Sequence, residues 1–101
     1  MNLTPMPQIG QLQGRRILVT GAARGLGFAF AQALCEHGAH VALADLRADL
    51  LPQSVAALQG RGFSAVGIRV DVSDPASVQQ CAEQAVRELG GLDGLVNNAA
   101  V

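Results

Sequence analysis

Short, nearly continuous apolar runs alternate along this chain with segments whose apolar positions recur at helical spacing. Ile17-Leu18-Val19, inside Arg16–Thr20, has no polar member, as a strand buried on both faces requires. His40–Leu46, Ser64–Val70 and Leu92–Asn97 read as three more strands. Between the first two runs, Leu26, Phe30, Ala33, Leu34 and His37 share one helical stripe, and Gly38 stands where a left-handed C-terminal cap belongs. Leu51, Val55 and Leu58 predict a second helix, with Pro52 tolerable in its first turn and Gly60 and Gly62 closing it. The third helix has the clearest period: Val78, Cys81, Ala82, Ala85, Val86 and Leu89 stand against Gln79, Gln80, Glu83, Arg87 and Glu88. Ser73 or Asp74 can cap it, Pro75 suits its first turn, and Gly90-Gly91 ends it.

Apolar strands alternating with helices predict an α/β fold, a Rossmann-like parallel sheet with helices on both faces. Right-handed crossovers place the strands in the order 3-2-1-4. The first two crossovers then cover one face and the third alone covers the other. Part of an apolar face is expected to stay bare, with the fourth strand as a sheet edge. Met1–Gln13 carries Pro5, Pro7 and Gly10 without periodicity and reads as a flexible tail. Residues 14–101 are expected to be the N-terminal part of a single, incomplete domain.

With 101 residues, 50% apolar and 15% charged, the composition is that of one small globular domain. The net charge of -1 comes with no basic stripe, so nucleic acid is not an expected partner. The apolar runs are too short to span a membrane, and the N-terminus does not read as a secretory signal. Cys35 and Cys81 are far apart and form neither a disulfide framework nor a metal cluster. No metal site is expected, and a cytoplasmic location is. The two histidines, His37 and His40, flank a helix end and suggest neither a ligand nor a base. All seven basic residues are arginine and there is no tyrosine, so no step that needs a phenol or an ammonium can use this chain.

The candidate chemistry lies in Thr20-Gly21-Ala22-Ala23-Arg24-Gly25-Leu26-Gly27, between the first strand and the first helix. A helix N-terminus presents unpaired N–H groups and partial positive charge, which suit a pyrophosphate. Glycines let backbone approach the anion, and the last of them lets the helix lie close to the strand. Downstream, Asp45 stands at the end of the second strand, at the distance where a carboxylate can accept ribose hydroxyls. Asp71-Val72 stands at the end of the third strand and Asn97-Asn98-Ala99-Ala100 at the end of the fourth.

In these four stretches the sequence resembles the short-chain dehydrogenase/reductase family, in the spacing of its simpler single-domain branch, from about Gln13 to Val101. A methyltransferase-type nucleotide fold can share the Gly-rich turn and the acidic strand end, but not the Asn-Asn-Ala stretch. The resemblance implies a cofactor site built from Gly21, Ala22, Ala23, Arg24, Gly25, Leu26, Gly27, Asp45, Asp71, Val72, Asn98 and Ala99. It implies that Asp71 bonds the adenine amino group, Val72 contacts the ring, Asn98 approaches the cofactor ribose and Leu26 faces the nicotinamide. Asn97 is expected to stabilise the sheet centre. Ala100 departs from the family's usual glycine. NAD is the expected cofactor, with NADP the less favoured, because Asp45 repels a 2′-phosphate that Arg24 and Arg47 would attract.

The implied activity is hydride transfer between a nicotinamide cofactor and an alcohol or ketone of unspecified identity. The family's catalytic Ser and Tyr-x-x-x-Lys lie beyond the Asn-Asn-Ala stretch, so this chain is expected to bind cofactor without catalysing the reaction. The full-length protein is expected to be a homodimer or homotetramer. The alternative is a non-catalytic dinucleotide-binding module that works at this length.

Overall fold

The computed structural model describes residues 12–99. The apolar runs form four strands, β1 (Arg16–Thr20), β2 (His40–Asp45), β3 (Ala65–Arg69) and β4 (Gly94–Asn97). The periodic segments form α1 (Gly25–Glu36), α2 (Leu51–Gln59) and α3 (Pro75–Leu89). All strand pairs are parallel and the sheet order is β3-β2-β1-β4, as the alternation predicts. Val19, Val41, Ala42, Leu43 and Ala44 lose all contact with solvent. Burial on both faces is why β1 and β2 read as unbroken apolar runs.

The sheet separates two cores. Ile17, Val19, Val41 and Leu43 face α1 and α2, where Ala31, Cys35, Leu51 and Leu58 meet them. Leu18, Ala42, Ala44, Ile68 and Val70 face α3 through Cys81 and Ala85. The two cysteines therefore lie in different cores, and both are free thiols. Burial pushes the Cys35 thiol up to about 11 and raises Cys81 as well.

Three helix details differ from the periodic reading. The buried stripe of α1 is Gly27, Ala31 and Cys35, not the one marked by Leu26 and Phe30, which are 66% and 43% exposed. Small side chains let the helix axis approach the sheet, which larger ones on the same stripe would prevent. Phe28 rests partly buried against the α1–α2 core. On α2, Ser54 is buried between Leu51 and Leu58 while Val55 is only partly covered, because the Ser54 hydroxyl donates to the carbonyl of Ala23.

The caps follow the sequence closely. Gly38 (φ +94°) follows α1, and Asp74 rather than Ser73 caps α3, its carboxylate accepting the Ala76 N–H at 3.1 Å. Residues 1–11 of the expected tail lie outside the described residues. Its last two residues are not loose: Leu12 rests on the α1–α2 core and its carbonyl accepts the Arg15 N–H, while Gln13 lies against Gly38.

β4 is shorter than expected: Leu92 packs on the α3 core and Asp93 forms a clamp with Arg16. Arg16 donates through its backbone N–H and Nε to Asp93 Oδ2 at 2.9 and 3.0 Å, and through Nη2 to Oδ1 at 3.2 Å. Its Nη1 reaches the Gly90 carbonyl at 2.8 Å, and the Asp93 N–H returns to the Arg16 carbonyl at 2.7 Å. These bonds tie the start of β1 to the end of α3 across most of the chain. Beyond the clamp the α3 face is incompletely covered. Leu95 is 59% exposed beside an apolar groove of about 290 Å³, lined by Leu18, Val70, Cys81 and Leu92 among others. Among the described residues no helix is long and apolar enough to cross a membrane.

The clamp makes stability depend on pH. Hydrogen bonds from Arg16 hold the Asp93 carboxyl at about 2, below its ordinary 3.8. A carboxylate depressed in the folded state contributes stability above its unfolded value, and that contribution is lost as pH falls towards the folded one. Asp93→Asn should therefore melt below the wild type at pH 7. The gap between the two melting temperatures should close between about pH 4 and pH 2. Thermal melts across that range test this, and a gap that does not change with pH would count against it.

Candidate functional site

All four strands run in one direction, so Thr20, Asp45, Arg69 and Asn97 end at one edge of the sheet. From β1 the chain crosses to β2 on one side, and from β3 it crosses back to β4 on the other. A crevice opens where the order reverses, the usual ligand position in an open α/β sheet. It holds about 510 Å³ and is lined by Gly21, Arg24, Gly25, Asp45, Leu46, Arg47, Val70, Asp71, Val72, Ser73, Asn98 and Ala99.

The Gly-rich turn is built by close contact. Gly21 and Gly25 have φ of +64° and +61°, a left-handed conformation that suits glycine. A Cβ on Gly27 would stand 1.9 Å from the Gly21 carbonyl oxygen and 2.7 Å from Asn98 Nδ2. That separation, far inside van der Waals contact, sets the first turn of α1 against the end of β1. No side chain caps α1, and its first turn has no acidic residue. The N–H groups that an α-helix cannot satisfy internally stay available at this end. Together with the left-handed glycines they fit a pyrophosphate.

Asp45 is aimed by backbone. Its Oδ2 accepts the Ala23 N–H and its Oδ1 the Arg47 N–H, each at 2.9 Å. Each carboxylate oxygen keeps a second lone pair for a ligand hydroxyl. Arg47 sends its guanidinium to Asp49, with Nε on Oδ1 at 3.1 Å and Nη2 on Oδ2 at 2.9 Å. Asp71 uses Oδ1 to accept both the N–H and the hydroxyl of Ser73, at 3.0 and 2.6 Å. Those bonds hold its carboxyl below the usual range. Leu46, Val70 and Val72 supply apolar surface between the polar groups.

Thr20 joins the ends of β1 and β4. Its hydroxyl donates to Asn97 Oδ1 at 2.9 Å and accepts the N–H groups of Asn98 and Ala99 at 3.1 and 3.3 Å. Asn98 Nδ2 donates to the Gly21 carbonyl at 3.3 Å. Asn97 thus binds β4, an edge strand of the described sheet rather than its centre, to β1, and Asn98 lines the crevice. Ala100 lies outside the described residues.

The expected site residues divide into two groups. Gly21, Arg24, Gly25, Asp45, Asp71, Val72, Asn98 and Ala99 line the crevice. Ala22, Ala23 and Gly27 do not, because they are buried beneath the turn, and Leu26 points outward. Ala22 donates to the Ala44 carbonyl at 3.1 Å and Ala23 to Asp45, so their backbone N–H groups hold the turn. Leu46, Val70 and Ser73 line the crevice without having been expected there. Their position within two residues of Asp45 or Asp71 was the only signal in the sequence. Ser54 gave no signal, since its partner Ala23 lies on another element. Among the described residues no group of three His, Cys, Asp or Glu side chains is placed to hold a metal.

Comparison with known proteins agrees with this geometry. The family profile described as short chain dehydrogenase matches residues 15–101. Sorbitol dehydrogenase of Cereibacter sphaeroides is 41% identical over 91 residues, which is 90% of this chain and 34% of that protein. A short chain dehydrogenase from Mycobacterium smegmatis superposes with a TM-score of 0.89 at 30% identity, over 100% of this chain and 43% of that one. One from Burkholderia cenocepacia, solved in complex with NADP, has a TM-score of 0.83 at 41% identity, over 89% of this chain and 37% of that one. The chain spans about a third of the length of most of the curated relatives it matches, and 52% of one. With most of its residues matched by one family profile and the same sheet found in those structures, this chain belongs to the short-chain dehydrogenase/reductase family.

Proposed function

We propose that the crevice binds the adenosine and pyrophosphate of a nicotinamide dinucleotide, NAD in preference to NADP, as the cofactor-binding portion of an oxidoreductase. The observation that carries this reading is the meeting, in one crevice, of the uncapped N-terminus of α1, the backbone-aimed carboxylate of Asp45 and the Asp71-Val72 strand end. The α1 N–H groups would take the pyrophosphate, Asp45 the ribose hydroxyls and Asp71 the adenine amino group. A nicotinamide dinucleotide, when bound, supplies or accepts a hydride. The name of the sorbitol dehydrogenase relative fits an alcohol or ketone as the small-molecule substrate. With no tyrosine and no lysine, these 101 residues hold no tyrosine phenol or lysine ammonium to move the accompanying proton, and we expect no turnover from them alone.

NADP is the second reading, favoured by the NADP complex of the Burkholderia cenocepacia relative. Arg24 and Arg47 both line the crevice and could meet a 2′-phosphate. Asp45 favours NAD over it, because a carboxylate beside the 2′ position would repel a phosphate and accept a hydroxyl.

Titrating NADH and NADPH into the purified chain, read by nicotinamide fluorescence, tests both readings. NADH should bind saturably and more tightly than NADPH. Asp45→Asn removes the charge and one acceptor, so it should weaken NADH about ten-fold, the scale of a charge-assisted hydrogen bond, and narrow the gap to NADPH. Tighter binding of NADPH by the wild type would reverse the cofactor preference, and no binding of either would remove the dinucleotide reading. A second variant tests the turn: Gly27→Ala should lose roughly 1–3 kcal/mol of stability by overpacking and bind NADH more weakly. Unchanged stability and affinity would mean that the contact between α1 and β1 does not shape the site.

A further inference from the structure

Arg47 stands beside the carboxylate that reads the 2′ position, yet its guanidinium is turned to another partner. Its backbone N–H is fixed on Asp45 Oδ1, and its side chain grips both oxygens of Asp49. Arg47 lines the crevice and Asp49 does not, so the fork pairs a lining residue with one that is not part of the lining. The fork also lowers the Asp49 carboxyl below its usual range, and the positive charge of Arg24 acts on it in the same direction. One carboxylate therefore attracts both arginines that could meet a 2′-phosphate. The loop around it is held by backbone, with the Ala48 N–H on the Leu46 carbonyl and the Leu50 and Leu51 N–H groups on Arg47. The turn therefore does not depend on the Asp49 side chain.

We propose that Asp49 is a specificity-determining residue of this crevice, acting through Arg47 by holding its guanidinium away from the adenosine 2′ position and so disfavouring 2′-phosphorylated nucleotides. This rests on the dinucleotide reading above. Asp45 opposes a 2′-phosphate by repulsion, whereas Asp49 opposes it by occupying the cation that would receive it. The two act at different atoms and can be separated by mutation. Both members of the fork are about half exposed or more, at 49% for the Arg47 side chain and 64% for that of Asp49. An exposed pair of this kind can be displaced, so the effect should be graded, at most about five-fold.

The test uses half-cofactor probes, 5′-AMP and adenosine 2′,5′-bisphosphate, titrated calorimetrically into the 101-residue chain at low salt. Asp49→Asn should tighten the bisphosphate about three- to five-fold relative to AMP, the span of an exposed ion pair, with AMP unchanged. Asp49→Glu, which keeps a carboxylate for the fork, should retain the wild-type ratio. In an Arg47→Gln background, Asp49→Asn should move the ratio far less, because the hydrogen-bonded guanidinium is gone and only the longer-range pull on Arg24 remains. The proposal is overturned if Asp49→Asn shifts both probes alike, leaves their ratio as in the wild type, or gives the same gain without Arg47. If AMP binds and the ratio fails to respond, only the role of Asp49 falls. If neither probe binds the wild type, the dinucleotide reading falls and this proposal with it.

Discussion

The close approach of α1 to the end of β1 governs the rest of this molecule. With Gly27 against the Gly21 carbonyl there is no room for a β-carbon, so the helix N-terminus is delivered to the carboxyl edge of the sheet at backbone distance. The small buried stripe of Gly27, Ala31 and Cys35 continues that approach along the helix. Larger residues there would lift α1 off Val19 and Leu43 and carry its N–H groups away from the crevice. Leu26 and Phe30 are exposed for the same reason: the face that meets the sheet has space only for small side chains.

Once the turn is set, polar groups from distant parts of the chain lock it. Asp45 accepts the Ala23 N–H, Ser54 donates to the Ala23 carbonyl, and the Thr20 hydroxyl gathers Asn97, Asn98 and Ala99. The first two join the loop after β1 to β2 and α2, and the Thr20 bonds join the end of β1 to the end of β4. The carboxylates at the rim are oriented by the same means, Asp45 by two backbone N–H groups and Asp71 by Ser73. Groups held this way need little reordering when a ligand arrives, which lowers the entropic cost of binding.

Charge at the rim is arranged as carefully as shape. Two arginines line the crevice beside Asp45, a combination from which residue types alone do not decide between a ribose hydroxyl and a 2′-phosphate. In this structure the Arg47 guanidinium is paired with Asp49, and Asp45 is held by backbone N–H groups. At the opposite edge, the clamp of Arg16 on Asp93 fixes the start of β1 and the entry to β4. The central strand is thus held at both ends, while Leu95 and the groove beside α3 remain open.

The sequence alone determined the element order, the parallel sheet, the separation of the two cysteines and the positions of the Gly-rich turn, Asp45, Asp71-Val72 and Asn97-Asn98-Ala99. These are local matters of period, glycine placement and strand ends, which a linear pattern records. It did not determine which face of α1 is buried, because helical spacing marks apolar positions but not how near the sheet will stand. Nor did it mark Ser54, the division of the turn into crevice-facing Arg24 and buried Ala23, the Arg16–Asp93 clamp, or the direction in which Arg47 points. Each of these depends on a partner brought near only when strands far apart in the chain align, and that alignment exists only in the tertiary structure.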